Sequence, residues 1–448
     1  MTNEYKKTID YLYSRLPMFT RIGAAAYKKD LHNTLVLLEA LGNPHLSFKS
    51  IHIAGTNGKG STSHMLAAIF HKSGYKTGLY TSPHLYDFRE RIKVSDGERL
   101  QMVDEDFVVS FTESIKPLIE RIEPSFFEVT VAMAFAFFAQ QKVDIAIIET
   151  GLGGRLDSTN VITPELSIIT NIGWDHMNLL GDTLEKIAGE KAGIIKPGIP
   201  VVIGETFAEI LPVFTKKAAS CGAFLTLAEK TWEIRETIPN IEHLVIALRN
   251  NTMGETLTLT CDLPGMYQQY NIRTVLTAWK ILQKQGWNLT ETDLAHALQQ
   301  VKTLTGLGGR WQVIGHKPWV VLDVAHNEAG MQQLVKQISI LQKETGIAAV
   351  HIIIGMVKDK DIDKVLSLLP AGYQYYFTQA QLPRALPFLD LKEKAATFHL
   401  KGNGFSSPQV ALEKALSVAN PSDLVVVCGS VFVVAEIGFR VSGLRFRV

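Results

Sequence analysis

The chain has 448 residues, 46% of them apolar and 20% charged, with 45 Lys and Arg against 44 Asp and Glu. That balance excludes the basic surface of a nucleic-acid binder and the strong net charge of a disordered chain, and the length suits roughly two or three domains. The longest apolar stretch, 129–139, is too short to cross a bilayer, and the start MTNEYKK is no apolar signal core. Cys221, Cys261 and Cys428 form no CxxC pair, as expected of thiols in a reducing, cytoplasmic setting.

Short apolar runs alternate with helical spacing, which predicts parallel α/β architecture. Strands are expected over 51–54, 144–149, 166–170 and 200–204, and a helix over 61–72 that stops at Gly74. HLVIAL and ETLTLT flank 249–254 and predict an antiparallel hairpin appended to the main sheet. A second α/β series follows LTGLGGR, with strands over 320–324, 350–355, 373–378 and 423–429. The expected domains are residues 1–303 and 304–448, with the glycine-rich piece 306–309 as linker.

The strongest local signal is IHIAGTNGKGST, residues 51–62: a buried strand, a glycine-rich turn, a lysine and a helix. That order turns backbone N–H groups toward an anion, with Lys59 adding a point charge. It departs from the common GxxxxGK[ST] loop, because Ile53 stands where the first glycine belongs and Gly60 separates Lys59 from Ser61. An ordinary glycine-bearing strand–turn–helix junction would read similarly, but a nucleotide site accounts for more of the residues.

DIAIIETGLGGRLDSTN (144–160) ends an apolar run in Glu149. At the carboxyl end of a parallel strand this acid could share a crevice with Lys59 and hold the magnesium of a nucleotide, although a solvated strand-end acid looks the same in sequence. His176 follows the run LSIIT, where a histidine is more often structural than ligating. Lys191 falls in a helical pattern, where the default is a solvated face.

Taken in order, these pieces resemble the Mur-type amide ligases, within them the folylpolyglutamate and dihydrofolate synthases. AGTNGKGS, TSPHLYDFRERI (81–92), SFFEVT (125–130), ETGLGGRLDSTN (149–160), DH (175–176) and GEKAGI (189–194) match in turn. LPGMYQQYN (263–271) resembles PGxHQxxN with Tyr267 for histidine, and LDVAHNEAG (322–330) resembles DGAHNP with Val324 and Glu328 as departures. GGR (308–310), GMVKDKD (355–361) and CGSVFVVAE (428–436) complete a set that covers nearly the whole chain.

The resemblance implies a P-loop-type ATPase domain with a mainly parallel sheet and a small antiparallel element, followed by a Rossmann-like α/β domain. It places ATP phosphates on Gly58, Lys59, Gly60 and Ser61, magnesium (two ions) on Ser82, Glu149 and His176, and further ATP contacts on Asn271, Arg310 and Asp323 from the hinge and second domain. Thr81, Phe127, Glu128 and Asp157 would line a pterin site, with 22–28 as a looser addition. Lys191 would carry a carbamate. Lys59, Glu149, His176, Lys191 and Arg310 would be the catalytic set, with Arg310 completing the site on closure.

The implied reaction is ATP-dependent addition of L-glutamate to tetrahydrofolate or its polyglutamates, with dihydropteroate as a second candidate acceptor, through an acyl phosphate. The chain is expected to act as a monomer without nucleic-acid or membrane partners. The nearest rival is a UDP-muramoyl amino-acid ligase, which TSPHL and GLGGRLD argue against. A nucleotide-driven switch or motor would normally carry GK[ST] in its loop and turn over nucleotide without an amine substrate, and a regulator without catalysis would leave Lys59, Glu149, His176 and Arg310 unexplained as a set.

Overall fold

The computed structural model describes residues 2–18 and 30–441, with side chains to residue 437. The looser pterin-site segment 22–28 lies outside the described residues. The chain divides into two compact units. The first comprises Met1–Glu236, Ile246–Thr260 and Gln269–Gly306, and the second Thr237–Val245, Cys261–Gln268 and Leu307–Val448.

The first unit is built on eight strands: β1 (Lys49–Ala54), β2 (Thr77–Tyr80), β3 (Ile92–Ser95), β4 (Leu100–Met102), β5 (Ile145–Glu149), β6 (Leu166–Ile169), β7 (Val201–Ile203) and β8 (Leu225–Leu227). They form one sheet in the order β4-β3-β2-β5-β1-β6-β7-β8. β2, β5, β1, β6, β7 and β8 run parallel, and β3 and β4 are added antiparallel at one edge. The central runs are apolar without alternation because helices cover both faces, and β5 and β6 are buried at every residue.

From β1 the chain crosses to β2 on one side, and from β5 it crosses back over β1 to β6 on the other. That reversal opens a crevice at the carboxyl ends of β1, β5 and β6, where open α/β sheets bind ligands. Two segments are aimed into this end: the turn after Ala54, and Glu149, the last residue of β5, paired with Ile53.

β9 (Trp232–Pro239), β10 (Leu244–Asn250) and β11 (Thr256–Cys261) form a three-stranded sheet of their own. The hairpin expected as an appendage of the main sheet is therefore separate from it. The reason is periodicity: β10 and β11 alternate buried with more exposed residues, the pattern of a sheet covered on one face.

In the second unit, β12 (Gln312–His316), β13 (Trp319–Leu322), β14 (Val350–Ile354), β15 (Gln374–Phe377), β16 (Gly402–Gly404) and β17 (Leu424–Cys428) form a sheet ordered β12-β13-β17-β14-β15-β16. Only β12 is antiparallel to its neighbour. Its core gathers Val321, Ile352, Ile354, Phe377 and Val426 with Leu334, Ile338 and Leu341 of the helix Glu328–Thr345.

Candidate active site

The turn between β1 and the helix Lys59–Lys72 is held by side chains from the loop after β6. Thr170 Oγ1 donates to Asn57 O (2.6 Å), Asn57 N donates to Asn171 Oδ1 (2.9 Å), and Thr56 Oγ1 accepts from Gly173 N (3.0 Å). Gly58 caps the helix at φ +82°, with no side-chain cap among the described residues, so the helix N-terminus aims backbone N–H groups toward an anion. A Cβ at Gly58 would overlap Asn271 Oδ1, which brings Asn271, on the helix Gln268–Lys284 of the same unit, directly against the turn.

Gly58→Ala combines that overlap with a left-handed backbone. It is expected to cost ~2 kcal/mol of stability and to weaken nucleotide binding. Thermal melts and ADP titration check this; unchanged values for both would show that the turn tolerates a side chain.

Two lysines converge on one carbonyl. Lys59 Nζ donates to Gly55 O (3.0 Å) and Thr56 O (3.3 Å), leaving a third N–H for a phosphate oxygen. Lys191 Nζ donates to the same Gly55 O at 2.9 Å. Lys191 is only 3% exposed, so the solvated face that its helix, Leu184–Ala192, suggested is not where it lies. Burial first, and the Lys59 charge second, pull its ammonium down to about 7, against the opposing pull of Asp175 and Asp157.

Glu149 is 4% exposed, and its Oε2 accepts from Ser82 N at 3.2 Å, so the ends of β5 and β2 bring these two candidates together. His176 occupies a left-handed backbone at φ +49°, with its N donating to Asp175 Oδ1 (2.9 Å). Among the described residues no three His, Cys, Asp or Glu side chains form a ready-made metal cluster. That donor set still suits Mg²⁺, which is commonly held by one or two carboxylates with water and phosphate oxygens completing its shell.

The four pterin-site candidates have different surroundings. Thr81 N donates to Arg91 O. Phe127 is half-buried, and its ring edge lies so close to Gly151 that a Cβ there would come within 2.5 and 2.6 Å of it. Glu128 closes a capping box with Ser125 at the start of the helix Phe126–Gln141: Oε2 accepts from Ser125 N at 2.6 Å, while Oε1 is buried without a hydrogen-bond partner among the described residues. Asp157 caps the turn Ser158–Val161 and accepts from Leu152 N (2.8 Å) and from Thr159 N (3.0 Å). Burial pushes its carboxyl above the usual range, against those bonds.

Sequence reasoning passed over Arg91 and His84, within the quoted TSPHLYDFRERI. Arg91 is buried, donates from Nε to His84 Nδ1 (2.8 Å) and lies over Phe126. Burial, with Arg91 beside it, holds His84 down to about 3. The signal available was a histidine and an arginine flanking the same loop as Ser82.

In the second unit, Asp323 follows β13 and is 3% exposed. It accepts from Trp311 N (2.9 Å), Ala325 N (2.8 Å) and Tyr267 Oη (3.1 Å), and burial raises its pKa. Tyr267, the departure from histidine, thus keeps a donor on Asp323. Arg310 is half-buried, with Nη1 donating to Gly309 O at 3.3 Å.

Two family models match the chain: the Mur ligase middle domain over residues 53–279, and the Mur ligase glutamate ligase domain over 309–431. The chain is 31% identical to the dihydrofolate synthase/folylpolyglutamate synthase of Bacillus subtilis (strain 168) over 455 residues, 98% of this chain and 100% of the relative. It is similar to the solved structure of Escherichia coli FolC in complex with DHPP and ADP, with a TM-score of 0.83 and 30% identity over 98% of this chain and 97% of that one. The bifunctional folylpolyglutamate synthase/dihydrofolate synthase of Yersinia pestis, solved with AMPPNP and Mn ion, matches at TM-score 0.79 and 29% identity over 97% of each chain. The chain belongs to the Mur ligase family, in its folylpolyglutamate and dihydrofolate synthase branch.

Proposed function

We propose that this protein is an ATP-dependent ligase that forms a C–N bond between L-glutamate and a folate-type acceptor, tetrahydrofolate or its polyglutamates, and dihydropteroate. The observation that carries the reading is the glycine turn with Lys59 and Lys191 on Gly55 O, at the carboxyl end of the sheet that also ends in Glu149. ADP with DHPP in one relative and AMPPNP with Mn ion in another are the ligand classes this reading requires.

In the reaction, an acceptor carboxylate oxygen attacks the γ-phosphorus as its bond to ADP breaks, giving an acyl phosphate. The glutamate amine then attacks the acyl carbon, loses a proton, and phosphate leaves. Gly58, Gly60 and Ser61 would offer backbone N–H groups to the phosphates, and Lys59 its remaining ammonium N–H. Ser82, Glu149 and His176 would hold magnesium, two ions in this assignment, which supplies charge neutralisation on the transferring phosphoryl group.

Asn271, against Gly58, would touch the nucleotide beside the turn. Thr81, Phe127, Glu128 and Asp157 would form the acceptor site, Phe127 through its ring and Asp157 through a carboxylate oxygen. For Arg310 and Asp323, in the second unit, the support is the motif each belongs to; for a boundary between residues 303 and 304 it is the glycine-rich piece 306–309. Lys191 is assigned a carbamate.

The test is ADP release with substrates omitted in turn. Turnover is expected only with glutamate plus tetrahydrofolate or dihydropteroate. Equal ATP hydrolysis without either substrate would refute the ligase, and stimulation only by UDP-muramoyl compounds would favour cell-wall chemistry.

A further inference from the structure

β1 reads KSIHIA, and His52 interrupts the apolar stretch Ile51–Ala54 at the sheet's centre with 0% exposure. Its Nε2 lies 2.8 Å from Thr159 Oγ1, and Thr159, also 0% exposed, donates that hydroxyl to Asp157 Oδ1 at 2.5 Å. We propose that His52 and Thr159 are positioning residues for acceptor binding, forming a relay that fixes the orientation of Asp157 toward the substrate's heterocycle. This rests on the assignment of Asp157 to the acceptor site.

Proton counting gives the relay its direction. A threonine hydroxyl has one hydrogen, and a carboxylate can only accept, so the hydroxyl hydrogen goes to Asp157. His52 must then donate from Nε2, and Nδ1 carries the lone pair. Burial holds the imidazole neutral, with its pKa down to about 3, so this tautomer persists at any working pH.

The carboxylate's capacity follows. Oδ1 takes both Thr159 N and Thr159 Oγ1, which fills its two lone pairs. Oδ2 takes Leu152 N at 2.8 Å, and the Gly151 backbone N–H also bonds to the carboxylate. Asp157 is therefore held in one orientation by Thr159 and by the N–H groups of its own loop when it meets a pterin-like ring.

Stability alone does not explain His52. Its Nδ1 is buried with no hydrogen-bond partner among the described residues, a cost of ~1–3 kcal/mol that an aliphatic residue in this strand would avoid. A costly polar group retained behind a substrate-facing carboxylate is what a positioning role requires.

The experiment measures ADP release at varied acceptor, ATP and glutamate, with thermal melts. Thr159→Val and His52→Leu are expected to raise the acceptor KM about tenfold, with ATP KM and kcat within about twofold, while Thr159→Ser restores the acceptor KM. Asp157→Asn should also raise it, and Thr159→Val added to Asp157→Asn should do no further harm. A raised KM in Asp157→Asn with an unchanged one in Thr159→Val would overturn the relay and leave Asp157 in the site. An unchanged KM in Asp157→Asn would remove the Asp157 assignment and the relay with it. Loss of melting temperature with an even loss in every kinetic parameter would reduce both residues to structure. If Thr159→Val does not fold, His52→Leu, at the far end of the relay, decides the same question.

Discussion

Glu149→Gln is expected to slow glutamate-dependent ADP release by about 10²- to 10³-fold while leaving the melting temperature unchanged. The amide keeps a carbonyl oxygen for Ser82 N, which Glu149 Oε2 now accepts at 3.2 Å, so the β2–β5 connection survives. What is lost is the negative charge proposed to hold magnesium. Glu149→Ala would lose charge and hydrogen bond together, and should be equally inactive but less stable. Lys59→Ala removes the ammonium that spans Gly55 O and Thr56 O and should fall by a similar factor. Both groups act on the same phosphoryl transfer, so the double variant should be little worse than either alone. Steady-state rates at saturating magnesium check this. A Glu149→Gln enzyme within threefold of the parent rate would take that carboxylate out of the mechanism.

The buried strands were legible because short β-branched-rich runs such as IAIIE and LVVVC, without alternation, suit strands of a parallel sheet covered on both faces. The edges were not. β16 is Gly-Asn-Gly, a strand only because it pairs with Tyr375–Phe377, and its residues carry no strand signal. The phosphate turn could be read because its glycines and lysine are contiguous, whereas the groups that brace it, Thr170 and Asn171, are more than 110 residues away in sequence. Lys191 was hidden for a different reason. Its helix is amphipathic by pattern, and only the fold shows that Lys191 lies on the buried face with Ile187 and Ala188 and reaches Gly55, while Glu185 and Lys186 stay exposed. Ser125-Phe-Phe-Glu128 could have been read as a capping box, which gives Glu128 a structural duty alongside any contact with substrate.

Lys191→Arg should lose ligase activity by about 10²-fold or more although it keeps the positive charge, because an arginine cannot form the carbamate proposed for this lysine. The chemistry is balanced by one proton: the amine adds CO2 to give N–COO⁻ and releases H⁺. It needs the neutral amine, and a lysine brought down to about 7 by burial and by Lys59 is neutral for much of the time at pH 7 to 8. The nitrogen that now donates to Gly55 O at 2.9 Å keeps one hydrogen after modification, so the product can hold the same hydrogen bond. Below pH 7 the ammonium returns, the carbamate is lost and activity should fall; added bicarbonate should restore it at pH 7.5 but not at pH 5.5. Stability gives an independent reading of the amine itself. Its folded pKa lies below the unfolded value of 10.5, so the unfolded chain binds the extra proton. The penalty is full below about 7 and fades as pH rises to 10.5, so the unmodified protein should gain melting temperature across that window and Lys191→Met should gain less. Carbon-13 bicarbonate should give a carbamate resonance in the parent with nucleotide and magnesium present, and none in Lys191→Arg. An active parent enzyme without that resonance at pH 8 would leave Lys191 as an unmodified brace for the phosphate turn.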